Sequence, residues 1–482
     1  MKRRDFLAAA ASGAVTAVLG RTATGAAQSR PPNILFILID DMGWRDVGFM
    51  GSRYYETPNT DRLAAQGMVF TSAYANAPNC APTRACLMSG QYGPRHGVYT
   101  VASSERGPAA GRKLVPIPNR TTLPAETITL AESLKRAGYT SASMGKWHLG
   151  SDPELGPIGQ GFDVNVAGNT AGNPRSYFSP YRNKDLPDGP KGEYLTDRLT
   201  EEALKFIEAN RAKPFFLYLP HYAVHTPIQA RKELTAKYEK KQPSNGQGNA
   251  KYAAMIESVD QGIGALMAKL DELGLADSTV VIFFSDNGGV GGYAELGIGG
   301  GEITSNRPLR GGKGMLYEGG IREPMVVRWP AKVKPGSRCD VPVIGVDFYP
   351  TLLEIAGLEK QPGQVLDGES LVPLLTQTGT LKRDAIFWHF PAYLQGGKNT
   401  WRTTPAGAVR QGDFKLIEFF EDSSLELYNL KDDIGEAKDL AKTMPDKARA
   451  LHQRLAAWRQ SVKAPVPTER NPTFDPSTRT KR

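Results

Sequence analysis

The chain has 482 residues, 40% of them hydrophobic, with 51 glycines, 35 prolines and a formal charge of +9. That length exceeds what one core usually fills, and the composition excludes a disordered chain, a coiled coil or a membrane bundle, leaving a loop-rich globular protein with a large domain and a smaller one. The basic residues are dispersed without a nucleic-acid motif, which argues against nucleic acid as a partner, and Cys80, Cys86 and Cys339 are too few and too scattered for a disulfide framework or a structural zinc site.

Met1-Lys2-Arg3-Arg4-Asp5-Phe6-Leu7 leads into an Ala-rich, weakly apolar stretch ending near Leu19, with small residues from Thr24 to Ala27. This pattern predicts a twin-arginine export signal over 1–27, read by the twin-arginine translocase, and a periplasmic or extracellular mature chain starting near Gln28. The apolar stretch falls short of the roughly 18 residues a span needs, so no stable membrane anchor is expected. Removing the signal takes four cations and one anion, which lowers the formal charge from +9 to +6 and leaves a balance that mildly favours anionic ligands.

Ile34-Leu35-Phe36-Ile37-Leu38-Ile39 is apolar without alternation and predicts a strand buried on both faces, ending at Asp40 and Asp41. A helix over Thr127 to Ala137 and a strand over Tyr139 to Met144 lead into Gly145-Lys146-Trp147-His148. A helix through Leu195, Leu199, Phe206 and Ile207 precedes a strand from Pro214 to Leu219 that leads to His221 and His225. A third helix carries Met255, Ile256, Val259, Ile263, Leu266, Met267 and Leu270, and the strand from Thr279 to Phe284 ends in Ser285-Asp286-Asn287-Gly288. The alternation predicts an α/β domain over 28–380 with a largely parallel central sheet between helices, and ligands gather at the carboxyl ends of such strands.

Beyond about residue 380 the segments shorten, at Asp384 to His389, Ala406 to Val409, Phe414 to Phe419 and Leu425 to Leu430, before a last helix near Lys447 to Val462. They predict a small C-terminal α+β subdomain over 381–482 with an antiparallel sheet and a loose tail from Pro465 to Arg482. The Gly-rich stretch from Gly288 to Gly301 lacks the ending of a P-loop and reads as a flexible loop at a pocket rim. The segment from Val166 to Lys191 reads equally as a pocket-shaping loop or a solvated insertion.

The segment Asn79-Cys80-Ala81-Pro82-Thr83-Arg84 places a proline that suits the first turn of a helix, and so puts residue 80 at a positive helix N-terminus that welcomes an anion. It resembles the C-x-P-x-R signature of type I sulfatases, in which a formylglycine-generating enzyme oxidises the cysteine to formylglycine. Asp40, Asp41, Asp286 and Asn287 match the family's metal ligands. Gly145-Lys146-Trp147-His148-Leu149-Gly150 matches its lysine and histidine element, and His225 and Lys313 match its remaining active-site cations. The resemblance runs from about Pro32 to Leu440 and implies the alkaline-phosphatase-like fold. Thr83 in place of serine, and Ser89-Gly90-Gln91 in place of Thr-Gly-Arg, depart from the pattern without removing its core.

The resemblance implies a sulfuric ester hydrolase acting on a sulfated saccharide or a small aryl sulfate, nearest in appearance to N-acetylgalactosamine sulfatases. In that scheme a formylglycine hydrate at position 80 attacks sulfur, oriented by Lys146 and by Ca²⁺, with Mg²⁺ second, on Asp40, Asp41, Asp286, Asn287 and residue 80 itself. His225 protonates the leaving alcohol, Lys313 and Arg84 stabilise the anion, and His148 removes the proton that expels sulfate. His389, between Trp388 and Phe390 at the domain junction, is assigned to sugar binding, with a packed joint as the alternative. His96, His221, His452 and Cys86 read as structural. Two other functions remain open: a phosphodiesterase or phosphonate monoester hydrolase, and an unconverted, non-catalytic sugar-binding protein.

Overall fold

Strand β1 (Asn33–Ile39) is buried along its whole length because both of its faces are covered. Leu35, Ile37 and Ile39 face one apolar cluster, built with the helices Leu195–Ala209 and Ala250–Glu272, while Ile34, Phe36 and Leu38 face a second, built with Cys80–Ser89, Leu130–Lys135 and Phe348–Ile355. Each such side chain gains about 1.5–3 kcal/mol from burial. A strand of them therefore outweighs the several kcal/mol that a buried ion pair at its end costs. The computed structural model describes residues 30–299, 301–398 and 400–479, so the predicted export signal over 1–27 lies outside the described residues.

Among the described residues nine strands form the main sheet: β1, β2 (Met68–Tyr74), β3 (Thr140–Met144), β4 (Val164–Val166), β5 (Phe215–Pro220), β6 (Thr279–Ser285), β7 (Arg322–Arg328), β8 (Ser337–Cys339) and β9 (Val343–Ile344). Their order is β4-β3-β5-β1-β6-β7-β2-β8, with β9 also on β2. Within this sheet β7 alone runs antiparallel to its neighbours. The loops after β1, β2, β3, β5 and β6 consequently leave from one edge, and the loop that enters antiparallel β7 arrives there too. The helix expected over Thr127 to Ala137 is shorter, because Thr129 caps it: its hydroxyl accepts from Glu132 N at 3.3 Å while the Glu132 carboxylate accepts from Thr129 N at 2.7 Å.

The expected second sheet is also present. Strands β10 (Ala385–Phe390), β13 (Ala406–Gln411), β14 (Phe414–Phe419) and β15 (Ser424–Asn429) are antiparallel, and between β10 and β13 the chain makes a small hairpin of β11 (Leu394–Gln395) and β12 (Trp401–Thr403). The helix Pro445–Ser461 covers this sheet. Trp388 joins it to the main sheet by lying edge-on to Tyr74 at 5.3 Å and donating from Nε1 to Ala75 O at 2.8 Å. A buried ionic cluster makes a second joint: Lys415 Nζ on β14 meets Glu318 at 3.0 Å and Glu436 at 2.9 Å.

The tail differs from expectation. Residues 465–479 dock on 109–117, with Val115 N donating to Glu469 O at 2.9 Å, Asn471 N to Lys113 O at 3.0 Å, and Arg479 pairing with Glu421. Backbone bonds and an ion pair hold what composition alone presented as loose. The described residues from Pro31 onward form one compact unit. Among the described residues no helix is long and apolar enough to cross a membrane.

Candidate active site

The strand ends are stitched together within three residues of the sheet. Asp40 N donates to Ala223 O at 3.0 Å, Lys146 N to Pro220 O at 2.7 Å and Asp286 N to Ile39 O at 3.1 Å, so side chains from β1, β3, β5 and β6 are carried on ordered backbone. The helix Cys80–Ser89 begins at Cys80, with Gly90 closing it in the left-handed conformation at φ 67°, which glycine adopts freely. Thr83, one of the two departures from the family pattern, turns its hydroxyl to Ala77 O at 3.1 Å and takes no part in the cavity.

That cavity has a volume of about 540 Å³, and Asp41, Cys80, His148, His225 and Lys313 all line it. Cys80 Sγ lies 3.4 Å from His148 Nδ1. Lys313 Nζ pairs with Asp41 Oδ1 at 2.6 Å, and His225 Nε2 stands 3.6 Å from Asp41 Oδ2. Behind this layer Lys146 Nζ donates to Asp40 Oδ2 at 2.6 Å, and the Arg84 guanidinium meets Asp286 Oδ2 at 2.7 Å and Lys146 O at 2.5 Å. Asn287 Nδ2 donates to Asp41 Oδ1 at 2.8 Å.

Burial and charge set the protonation of these groups. Burial pushes the Asp40 carboxyl up against the pull of Lys146, and pushes Asp286 up to about 6, aided by Asp40 and opposed by Arg84. Burial acts on Asp41 in the same direction, but Lys313, then His225 and Lys146, outweigh it and hold the carboxyl below its ordinary range. Burial and then the cations Lys146 and Arg84 keep His148 well below the usual imidazole value, while burial and then Lys313 bring His225 down to about 3. The Cys80 thiol is pushed up by burial and is therefore poorly ionised.

A sulfatase family model matches residues 32–358, and the model described as N-sulphoglucosamine sulphohydrolase, C-terminal, matches 312–461. The chain belongs to the sulfatase family. It is 34% identical over 530 residues to a sulfatase of Formosa agariphila, covering 94% of this chain and 93% of that one. It is 36% identical over 392 residues to human N-acetylgalactosamine-6-sulfatase, covering 77% of this chain and 70% of the relative. Among solved structures, Ps i-CgsB superimposes with a TM-score of 0.72 at 30% identity, covering 89% of this chain and 93% of that one, and has also been solved with k-i-k-neocarrahexaose.

In this sulfatase the residues singled out from the sequence divide into two layers. Asp41, Cys80, His148, His225 and Lys313 face the cavity, whereas Asp40, Arg84, Lys146, Asp286 and Asn287 stand behind it, fully buried. Arg84 thus spends its guanidinium on Asp286 and the Lys146 carbonyl instead of reaching into the cavity. His389 is not brought to this place. It is 8% exposed, its Nε2 donates to Pro465 O at 2.9 Å, and Tyr99 and Phe420 pack against its ring, so aromatic side chains other than its sequence neighbours Trp388 and Phe390 enclose it. His96 is buried beside Cys86, Sγ to Nε2 3.5 Å, and His221 is buried just past the end of β5, its N donating to Leu38 O on β1 at 2.9 Å.

Sequence reasoning missed the far wall. Arg106 and Gly107, from a loop that packs against Trp401 of β12, and Leu394, Gln395, Gly396 and Arg402, from the hairpin β11–β12, line the cavity. Strands of two and three residues leave no periodic signal. From the segment 166–191, Gly172 and Asn173 line it as well, with Gly172 so close to His148 that an added Cβ would lie 2.7 Å from Cε1. That segment shapes the pocket.

The buried oxygens also fit a metal ion. Ligand atoms of Asp40, Asp41 and His225, and of Asp40, Cys80 and Asp286, lie within 4.8 Å of one another in each group. Asp40 Oδ1 and Asn287 Oδ1 are buried without a hydrogen-bond partner. Buried polar atoms are almost always satisfied, so two orphaned oxygens beside a carboxylate cluster are what a bound cation would explain.

Proposed function

We propose that this sulfatase releases inorganic sulfate from a sulfated carbohydrate, using a formylglycine made from Cys80. The observation that carries the reading is the placement of Cys80 at the N-terminus of a buried helix, in a cavity shared with His148, His225 and Lys313 and backed by the carboxylates. A thiolate nucleophile is disfavoured there, because burial keeps the thiol protonated. Conversion of the thiol to an aldehyde would supply, as its hydrate, an oxygen nucleophile that stays attached to the chain. A hard divalent cation on Asp40, Asp41, Asp286 and Asn287, calcium before magnesium, would supply Lewis-acid polarisation of a sulfate oxygen.

The chain's own side chains do the rest. Lys313 Nζ, presented at the cavity surface, holds a sulfate oxygen, and Lys146 and Arg84 fix Asp40 and Asp286 from behind. His225 Nδ1 donates to Thr226 O at 2.8 Å, since a carbonyl can only accept. Its Nε2 is thereby turned to the cavity, 3.6 Å from Asp41 Oδ2. It gives a proton to the departing alcohol only as the imidazolium, which Asp41 and the anionic ester favour against the burial and Lys313 that keep the ring neutral. His148, kept neutral by burial and its cationic neighbours, is suited to take a proton at Nδ1 from the group at position 80. The carbohydrate assignment draws on the names of the relatives, N-acetylgalactosamine-6-sulfatase and Ps i-CgsB, the second solved with a neocarrahexaose.

The test has two readings. Mass spectrometry of the peptide containing residue 80 should show the aldehyde, and Cys80→Ala should abolish sulfate release while the melting temperature is retained. Substantial turnover by folded Cys80→Ala would falsify the formylglycine mechanism. Faster cleavage of a phosphodiester than of a sulfate ester with the same leaving group would reassign the enzyme to phosphorus chemistry.

A further inference from the structure

Two arginines in the cavity wall have no counter-charge. Arg106 and Arg402, the latter on β12, line the same cavity as Cys80 and Lys313, and neither forms an ion pair or a side-chain hydrogen bond among the described residues. Arg402 Nε is buried without a partner. Among the described lining residues the sole carboxylate is Asp41, which already holds Lys313. Burial, and after it repulsion from Arg402, holds Arg106 below the ordinary arginine range and outweighs the pull of Cys80.

Arg402 is nevertheless held in place. Its guanidinium stacks on the Tyr293 ring at 4.2 Å, and the Tyr293 hydroxyl donates to Lys313 O at 2.8 Å. One ring therefore ties the Arg402 head to the backbone of a cavity lysine. A stem that only filled space would need no charged head, and like charges gathered without a counter-ion are costly unless a ligand supplies one. Guanidinium forks match the paired oxygens of sulfate and carboxylate groups.

We propose that Arg106 and Arg402 bind a second anionic substituent of the substrate, a sulfate ester or a carboxylate on the sugar that bears the scissile sulfate or on its neighbour. The substrate class is then a multiply anionic saccharide. This inference rests on the reading of position 80 as the sulfate-ester site.

The experiment compares kcat/KM for three saccharides that share one scissile sulfate: one with no other charge, one with a second sulfate, and one with a neighbouring uronate carboxylate. Wild-type protein is expected to prefer at least one of the doubly charged substrates by about tenfold to a hundredfold, the scale of a charge-assisted contact. The preferred arm identifies the anion. The preference should collapse in Arg106→Gln and Arg402→Gln, survive in part in Arg402→Lys, and shrink for the wild type as salt is raised. Absence of any preference in the wild type, or an equal fall on all three substrates in both Gln variants, overturns the proposal. If the wild type releases sulfate from none of the three, the sulfatase reading fails by itself. The inference is then decided by the affinity of Cys80→Ala protein for the same saccharides, where a charge preference that Arg402→Gln removes supports it and an absent preference sinks it.

Discussion

Asp41 and His148 sit in the left-handed region, at φ 63° and 64°, a conformation that costs a residue with a Cβ about 1–2 kcal/mol. Both are cavity residues, and the conformation turns their side chains inward from the strand ends. Gly172 is what lets the His148 ring stand where it does: in Gly172→Ala the new Cβ would come within 2.8 Å of Nε2, so the ring must shift. We expect kcat to fall about ten- to a hundredfold with little change in melting temperature; a kcat within twofold of wild type would show that the ring position does not matter. The orphaned oxygens of Asp40 and Asn287 lead to a second expectation. Chelation should lower both sulfate release and the melting temperature, and calcium should restore both, since a cation present at about a hundred times its Kd stabilises the folded state by about 2.7 kcal/mol. Identical melting curves with and without chelator would remove the cation from this site.

At the scale of elements, the long helix Ala250–Glu272 acts on its neighbours as well as filling the core. Tyr252 donates toward Asp46 Oδ2 at 2.7 Å and also lies 3.0 Å from Asp41 O, bracing the turn that carries Asp41. Two turns on, Asp260 accepts from Thr60 N at 2.7 Å and Asn59 N at 3.1 Å, capping the helix Pro58–Gln66, whose own Thr57 makes no side-chain cap. Asp260→Ala should therefore cost about 1–3 kcal/mol in denaturant unfolding, because it strands buried donors at a helix start. A loss below about 0.5 kcal/mol, the scale of an ordinary surface change, would refute the cap.

These elements also show what can be read in advance. β1 and β6 were legible because burial on both faces demands uninterrupted apolar runs, and Asp40, Asp41, Asp286 and Asn287 follow directly from where those runs stop. The cap made by Asp260 was not legible, since it joins residues 200 positions apart. Nor was the direction of Arg84, because a cation beside a motif gives no sign of whether it faces the anion or a carboxylate behind it. His389 misled for a related reason: Tyr99 and Phe420, which enclose its ring, stand elsewhere in the sequence, and its neighbours Trp388 and Phe390 give no sign of them.

For the whole molecule, the joint between the two sheets depends on ions that water cannot reach. Lys415, Glu318 and Glu436 are all 0% exposed, and Glu318 also accepts from the Tyr74 hydroxyl at 2.7 Å. Lys415→Met would leave Glu436 buried without its cation and Glu318 paired with Arg322 alone, and should cost on the order of 3–5 kcal/mol in chemical denaturation; a loss under about 1 kcal/mol would mean that the cluster does not hold the sheets together. Burial, with Glu318 repelling and Lys415 opposing, pushes Glu436 up to about 7 from 4.5. The folded protein then keeps a proton that the unfolded chain releases, so this group's contribution declines as pH rises from 4.5 to about 7. For Glu318 burial is outweighed by Lys415 and Arg322, which hold it down to about 2, so its contribution is lost as pH falls from 4.5 toward about 2. Glu436→Gln should flatten the upper limb alone, as read from melting temperatures across that window; an unchanged upper limb would place its origin elsewhere.

The hairpin β11–β12 reaches the cavity from a different stretch of chain than the reacting groups, and Gly314 allows it to come that near: with φ 91°, its missing Cβ would lie 2.5 Å from Leu394 Cδ2. Chemistry and recognition are thus separately heritable. Insertions or deletions in the turn between Gln395 and Trp401 can redraw the reader of the sugar while the strand ends keep their spacing, so descendants of one ancestral gene could change diet without relearning the reaction. Exchanging the whole hairpin Leu394–Thr403, which carries Arg402, is the smallest graft that should transfer the proposed substrate preference.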